Sequence, residues 1–448
     1  MGATESIADF IWKTSYDRIP KEAVSSAKWA ILDGLGCMLA GSQEPPGNII
    51  KEYVKELGGN PEASVIGGGF KTSAPQAALA YGTMAHALDY DDVAVTWLGH
   101  PTVTLLPTVL AIGERGKLSG RDAIAGYIVG FEVGAKLGAG IGFSHYTVGW
   151  HATVTLGTMA TTAASSKMLS LDTRQTRMAL GIAASLAGGT RQNFGTMTKP
   201  FHAGNAARNG IMAALLAKKG FTADETILES PMGFFRLFSG GEEYDIAEAT
   251  RGLGDPFDIL SSGVSIKPYP CCLLTHRCID AILYLIKEYG VGANDVESVE
   301  CRTSEFLPQA LIHARPRTAL EGKFSMQYCM AIALLDGRVG LKQFTDAKVL
   351  YPKAQELLEK VTYVHPEGLM PLQSEAVTIK LKDGRELSHE VAIPKGDPRN
   401  PMSEEELASK YRECASFVLS PQDTQKSMEM ISHLEDIEDI TELINLVR

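Results

Sequence analysis

From Ser6 to Asp255 the chain is a near-continuous succession of helix-length apolar segments rich in Ala, Leu and Thr. Glycine turns separate them at Gly41, Gly58-Gly59, Gly67-Gly68-Gly69, Gly116, Gly188-Gly189, Gly220 and Gly240-Gly241. Several of these segments, Ala152 to Ala164 among them, are apolar around most of their circumference. A helix of that kind has to be covered on nearly every side, so it belongs inside a bundle or at a subunit interface. Caps are expected at Ser73, at Ser119 with Asp122 three residues on, and at Asp172.

The texture changes near Ser261. β-Branched runs appear at Val264 to Ile266, Val296 to Cys301 and Val361 to Val364, and Ala376 to Leu381 alternates before Asp383-Gly384 and Leu387 to Ile393. Asp-Gly between two alternating runs predicts a hairpin. Helices are expected at Thr275 to Tyr289 and Lys323 to Leu335, and helix returns after Pro398, where Ser403-Glu-Glu-Glu opens a segment. The predicted architecture is mainly α. A large helical domain is formed by both chain ends, residues 1–262 and 398–448, with a smaller α+β domain, residues 263–397, inserted between them.

The 448 residues are 45% hydrophobic, enough for a sizeable core, and carry a net charge of −11. That charge argues against nucleic acid or an acidic membrane as the main partner, while leaving room for a local cationic cleft. Seven cysteines without CxxC spacing suggest neither a disulfide framework nor a zinc site, which fits a reduced, cytoplasmic setting. No apolar run is read as long enough to span a membrane, and the start lacks a basic, then apolar, leader pattern.

Three polar elbows run straight into apolar helices: Gly99-His100-Pro101, Gly149-Trp150-His151, and Thr198-Lys199-Pro200-Phe201-His202-Ala203-Gly204. Helix N-termini present unpaired N–H groups and partial positive charge, so such ends are expected to hold an anion, and three together a molecule with several carboxylates. A histidine there is biased toward its neutral, basic form. Lys267 follows in a proline-stiffened segment, Ser265-Ile-Lys-Pro-Tyr-Pro-Cys-Cys. Two lysines and two histidines suit the charge that develops when a proton leaves a carbon next to a carboxylate.

His86-Ala-Leu-Asp89-Tyr90-Asp91-Asp92 places three carboxylates at the end of an apolar helix, an unfavourable place for a merely solvated acidic run. The spacing does not match an Asp-Asp-x-x-Asp metal pattern, and no metal is assigned. Gly138-Ala-Gly140-Ile-Gly142 ends a helix instead of following a strand, so no dinucleotide site is assigned either. Cys271 and Cys272 read as small packing residues.

Together, His86-x-x-Asp89-Tyr-Asp-Asp92, Gly99-His100-Pro101, Gly149-Trp150-His151, Thr198-Lys199-Pro200-x-His202-x-Gly204, Ile266-Lys267-x-x-Pro270 and Phe324-Ser-Met-Gln-Tyr328 make the chain resemble the MmgE/PrpD family along nearly its whole length. Named members of that family include 2-methylcitrate dehydratase, cis-aconitate decarboxylase and iminodisuccinate epimerase. The resemblance implies a helical domain with an inserted α+β lid, a homodimer and no cofactor. It also implies a pocket at Asp89, His100, His151, Lys199, Lys267 and Tyr328. Two positions depart from the decarboxylase pattern: Val93 stands where that type and the dehydratases have Thr, and Cys272 where it has His. His145-Tyr146-x-x-Gly149-Trp150-His151 and the Pro-x-Cys ending at Cys272 look more like the epimerase.

The leading expectation is a cofactor-independent lyase acting on a small di- or tricarboxylate, of dehydratase or decarboxylase type. His100 and His151 serve as base and acid, in either order, and Lys199 and Lys267 hold carboxylates. Asp89 tunes a histidine, and Tyr146, His202, Cys272 and Tyr328 line the substrate. The rivals are an epimerase of an amino- or imino-dicarboxylate, with Tyr146 or His145 as second acid, a non-catalytic carboxylate-binding protein, and a metal-dependent hydrolase.

Overall fold

The computed structural model describes residues 2–370 and 373–448. The chain is mainly α and divides into two compact units. The first comprises Met1–Gln192, Thr198–Ser265 and Ser403–Arg448, and the second Ile266–Met402 together with Asn193–Met197. Residues 193–197 thus leave the helical unit, although they lie between two of its helices in sequence.

In the first unit, helices Ala74–His86, Thr102–Gly116, Gly120–Ile141, Ala152–Met168 and Thr198–Lys218 pack on one another around a single apolar core. Every residue of Ala152–Met168 except Lys167 is buried, as its all-round apolar surface requires. Ser119 with Asp122, Asp172 with Gln175 and Ser403 with Glu406 form reciprocal capping boxes, whereas Ser73 sits at its N-cap position without a side-chain cap bond. Where two helices carry glycine at the contact, they approach very closely. A Cβ on Gly204 would lie 2.1 Å from the Leu79 carbonyl oxygen, and one on Gly82 would lie 2.6 Å from Gly204 Cα.

Gly120–Ile141 corrects the reading that no segment has the dimensions of a membrane span. It is long and apolar enough, with a mean hydropathy of 1.3 in its best window, but 89% of that window is buried, so it serves as a core helix. Gly138 and Gly140 on this helix are close-packing positions: a Cβ would lie 2.0 Å from the Thr96 carbonyl and 2.8 Å from that of Asp245.

The second unit has its own core and a four-stranded sheet in the order Val361–Val364, Val296–Arg302, Glu375–Leu381, Glu386–Val391. The first pair is parallel and the other two are antiparallel. The last two strands form the hairpin around Asp383-Gly384, where Gly384 takes a φ of 89° that favours glycine. Helices His276–Tyr289 and Met326–Asp336 pack against each other in this unit. The β-branched run at Val264 to Ile266 is no strand. Only Ser265 makes a bridge, to Val93.

Candidate active site

The helix Ala74–His86 ends at His86, and the chain reverses through Asp89, which adopts a φ of 51°, uncommon outside glycine and the Asn/Asp pair. This turn carries Asp91 and Asp92 inward instead of leaving them on a solvated helix end, and all three carboxylates are buried. Asp92 then reaches the start of the next helix, Thr102–Gly116, where its Oδ1 accepts from the Thr102 N–H at 3.2 Å and its Oδ2 accepts from the Thr102 hydroxyl. A carboxylate at a helix N-terminus is well placed. The Asp92 side chain thus occupies the Thr102 donors of that helix end, a correction to the expectation that it stands open for a substrate anion. Burial, with Asp33 and Asp91 nearby, pushes the Asp92 carboxyl well above its usual range.

Five side chains close into a ring. His86 Nδ1 lies 2.8 Å from Asp91 Oδ1, and His86 Nε2 lies 2.7 Å from Lys199 Nζ. Lys199 Nζ donates to Asp89 Oδ1 at 3.0 Å, and Asp89 Oδ1 is 3.8 Å from His100 Nε2. His100 Nδ1 returns to Asp91, 2.8 Å from Oδ2, and is also 2.9 Å from the Asp92 carbonyl oxygen. The hydrogen bonds assign the His86 tautomer: Nδ1–H donates to the Asp91 carboxylate, so Nε2 is the lone-pair nitrogen that accepts from the Lys199 ammonium. Burial alone would raise Asp91, yet the two imidazoles and their hydrogen bonds hold it well below the usual carboxylate range. Burial, together with Lys199, lowers His86 in spite of Asp91.

His151, at the N-cap of Ala152–Met168, stands beside this ring, its imidazole centroid 6.2 Å from that of His86. Its Nδ1 is 3.0 Å from His202 Nδ1, so one of the two imidazoles donates to the other. Burial first, then Lys199, His202 and the neighbouring histidines hold His151 well below its ordinary value; His202 is lowered to about 4 by burial, His86 and Lys199. Both are neutral at pH 7. Lys199 lies in the first turn of Thr198–Lys218, buried, in keeping with its place between Thr and Pro.

Asp89, His100, His151, Lys199 and His202 thus come together within the first unit. Two residues of the cluster had no separate role in the sequence reading, His86 and Asp91. Asp89 faces His100 at 3.8 Å and pairs with Lys199, while Asp91 contacts both His86 and His100. The His86-to-Asp92 motif is visible in the sequence, but the turn at Asp89 removes any helical or strand period from which side-chain directions could be read. Tyr146 is half-buried, with the Arg191 guanidinium 3.8 Å above its ring. His145 is a satisfied core histidine, with Nδ1 2.8 Å from the Phe238 carbonyl and Nε2 2.7 Å from the Thr155 hydroxyl. Neither nitrogen is left to serve as the second acid proposed for an epimerase. In the second unit, Lys267 is fully buried and Cys272 half-buried. Tyr328 donates its hydroxyl hydrogen to the Gln343 carbonyl and packs edge-on against Phe344.

His86, Asp89, Asp91 and His100 place four potential metal-ligand atoms within 4.8 Å of one another. The donor set suits a small divalent cation. The Lys199 ammonium already lies against two of those residues and supplies positive charge there.

The fold and this buried acid–base cluster define an enzyme. The MmgE/PrpD N-terminal domain matches residues 5–247 and the MmgE/PrpD C-terminal domain residues 269–436. The chain is 30% identical over 466 residues to a cis-aconitate decarboxylase of Mus musculus, covering 99% of this chain and 93% of that protein. It is likewise 30% identical over 476 residues to a cis-aconitate decarboxylase of Aspergillus terreus (strain NIH 2624 / FGSC A1156), covering 100% and 96%. A 2-methylcitrate dehydratase of Escherichia coli O157:H7 is 25% identical over 389 residues, covering 79% and 76%. The chain belongs to the MmgE/PrpD family and is a lyase of that type.

Proposed function

We propose that the protein is a cofactor-independent lyase of small tricarboxylates, working through a carbanion next to a carboxylate, and that His100 and His151 divide the proton transfers between them. The observation that carries this is the contrast between two neighbouring imidazoles. His100 stands between two carboxylates, 2.8 Å from Asp91 and 3.8 Å from Asp89. His151 sits on the cationic side, beside Lys199, and is held neutral. Environments that push two like groups apart assign acid and base. His100 is accordingly the proton donor and His151 the base.

In dehydration, His151 takes the proton from carbon and His100 gives one to the departing β-hydroxyl, which leaves as water. In decarboxylation, loss of carbon dioxide produces the carbanion directly and His100 protonates it. Lys199 stabilises the developing negative charge in either case. Its contact with Asp89 holds the Lys199 Nζ in place. Lys267 carries over from the family pattern as a second carboxylate-holding cation, with Tyr146, His202, Cys272 and Tyr328 as substrate contacts. The α+β unit acts as a lid in the same reading, and the working protein is a homodimer. The relatives named above favour cis-aconitate and 2-methylcitrate as first substrates to offer, and the departures at Val93 and Cys272 call for close analogues beside them.

Proton NMR in deuterated water tests the reaction. The expected outcome is a new alkene signal or released carbon dioxide, undiminished after dialysis against EDTA. His100→Ala is expected to lower kcat by roughly 100- to 10,000-fold in either reaction, and His151→Ala by as much in dehydration, where it removes the base. Exchange of one α-hydrogen without new unsaturation would instead identify an epimerase, and near-normal turnover in either variant would remove its proposed role.

A further inference from the structure

The loop that carries Asp89 and Asp91 is held from beneath by a buried ion pair remote in sequence. Lys410, on the helix Glu404–Ala415, has its Nζ 2.6 Å from Asp33 Oδ1, on the helix Lys21–Gly41, with side-chain exposures of 3% and 1%. The same ammonium donates to the Tyr90 carbonyl at 2.7 Å and sits 3.9 Å over the Tyr90 ring. Tyr90 is the residue between the two carboxylates of the ring. Helix Lys21–Gly41 can come this near because residue 34 is glycine: a Cβ there would lie 2.4 Å from Thr102 Cγ2, at the start of the helix that Asp92 caps.

A buried ammonium bonded to a carboxylate and a backbone carbonyl is an expensive way to join two helices, since hydrophobic side chains of similar volume commonly do as well or better. What apolar residues could not do is hold the Tyr90 carbonyl at a fixed point. That carbonyl belongs to the peptide between the positive-φ turn at Asp89 and the Asp91 carboxylate that meets both His86 and His100. Displacing it by a fraction of an ångström would change the 2.8 Å contacts of Asp91 and the Asp89–Lys199 pair together, and catalysis is sensitive to displacements of this size.

We propose that Lys410, with Asp33 as its counter-ion, is a positioning residue of the active site, which makes the helix Glu404–Ala415 a support of the catalytic loop. The inference rests on the reading that the His100–Lys199 ring is the catalytic centre. Lys410→Met, Lys410→Gln and the double variant Asp33→Leu/Lys410→Met are compared in the full-length enzyme, with His100→Ala measured in parallel on cis-aconitate or whichever analogue turns over.

Lys410→Met is expected to lower kcat roughly 10- to 100-fold with KM within about threefold, the pattern of a lost transition-state contribution. Lys410→Gln, which keeps an N–H donor for the Tyr90 carbonyl, is expected to recover part of that loss. The double variant also removes the Asp33 carboxylate that loses its lysine counter-ion in Lys410→Met, so it should regain thermal stability while kcat stays low. If it regains both, or if Met and Gln give the same kcat, or if Lys410→Met lowers only the melting temperature, the pair serves folding alone and the proposal is overturned. Near-normal turnover in His100→Ala would instead strike the catalytic reading on which the proposal depends.

Discussion

His145, offered by the sequence with Tyr146 as a second acid for the epimerase reading, is committed elsewhere in the fold. It precedes the Trp150-His151 elbow and looks like a spare acid, but both ring nitrogens are committed to Phe238 and Thr155. Burial, only partly offset by the Phe238 carbonyl, lowers it to about 4 from 6.5. A histidine held neutral in the folded state and free to protonate in the unfolded one makes the unfolded state bind more protons between those two values. Stability therefore rises with pH across that window and is lost as pH falls from 6.5 toward 4. The contribution of His145 is roughly 3 kcal/mol at most. Urea titrations across that range should show the wild-type stability declining toward acid, with His151 and His86 adding in the same direction. His145→Gln should flatten the decline measurably, and an unchanged slope would show that His145 is not held neutral.

Among the helices, the geometry of the ring depends on how closely Ala74–His86 and Thr198–Lys218 approach. His86 lies four residues beyond Gly82 and Lys199 five residues before Gly204, the two glycines at the contact. The 2.7 Å contact between His86 and Lys199 therefore depends on a crossing at which neither helix has room for a side chain. Gly204→Ala would drive a methyl group into the Leu79 carbonyl, and overpacking of this kind costs about 1–3 kcal/mol. The expected result is a lower melting temperature together with a fall in kcat larger than the loss of folded protein explains. A variant that loses stability but keeps full kcat per folded molecule would show that the crossing does not set the catalytic distances. The sequence places Gly82 inside a helical segment and Gly204 in a polar elbow, whereas the helix already begins at Thr198, and neither reading shows what the glycines approach.

At the scale of the whole molecule, the second unit has an apolar core distinct from the main core of the helical unit, and this division accompanies the change in sequence texture. The β-branched, alternating segments and their two helices supply the core of the second unit, with Val296, Val299, Val377 and Ile379 buried on the sheet and Ile279, Ile282 and Leu285 on a helix beside it. A segment with its own core and a hydrogen-bonded sheet is a candidate for independent folding. Residues 266–402 expressed alone should unfold cooperatively on heating or in urea. A gradual, non-cooperative loss of structure would show that the segment needs the rest of the chain.

The sequence by itself determined the helical character of both chain ends, the change of texture near residue 261, the Asp383-Gly384 hairpin and the identity of most of the polar cluster. The first three follow from periods and turn chemistry that act over a few residues, and the cluster from the polar elbows together with the family resemblance. Only the tertiary structure decided that Asp91, and not Asp89, joins two histidines, that Lys199 is already paired with a carboxylate, and that Lys410 from the far end of the chain holds the loop between them. Those outcomes depend on a positive-φ turn and on glycine-lined helix crossings that bring together residues 110 and 320 positions apart. Local pattern specifies which side chains an element carries, and long-range packing specifies which of them meet.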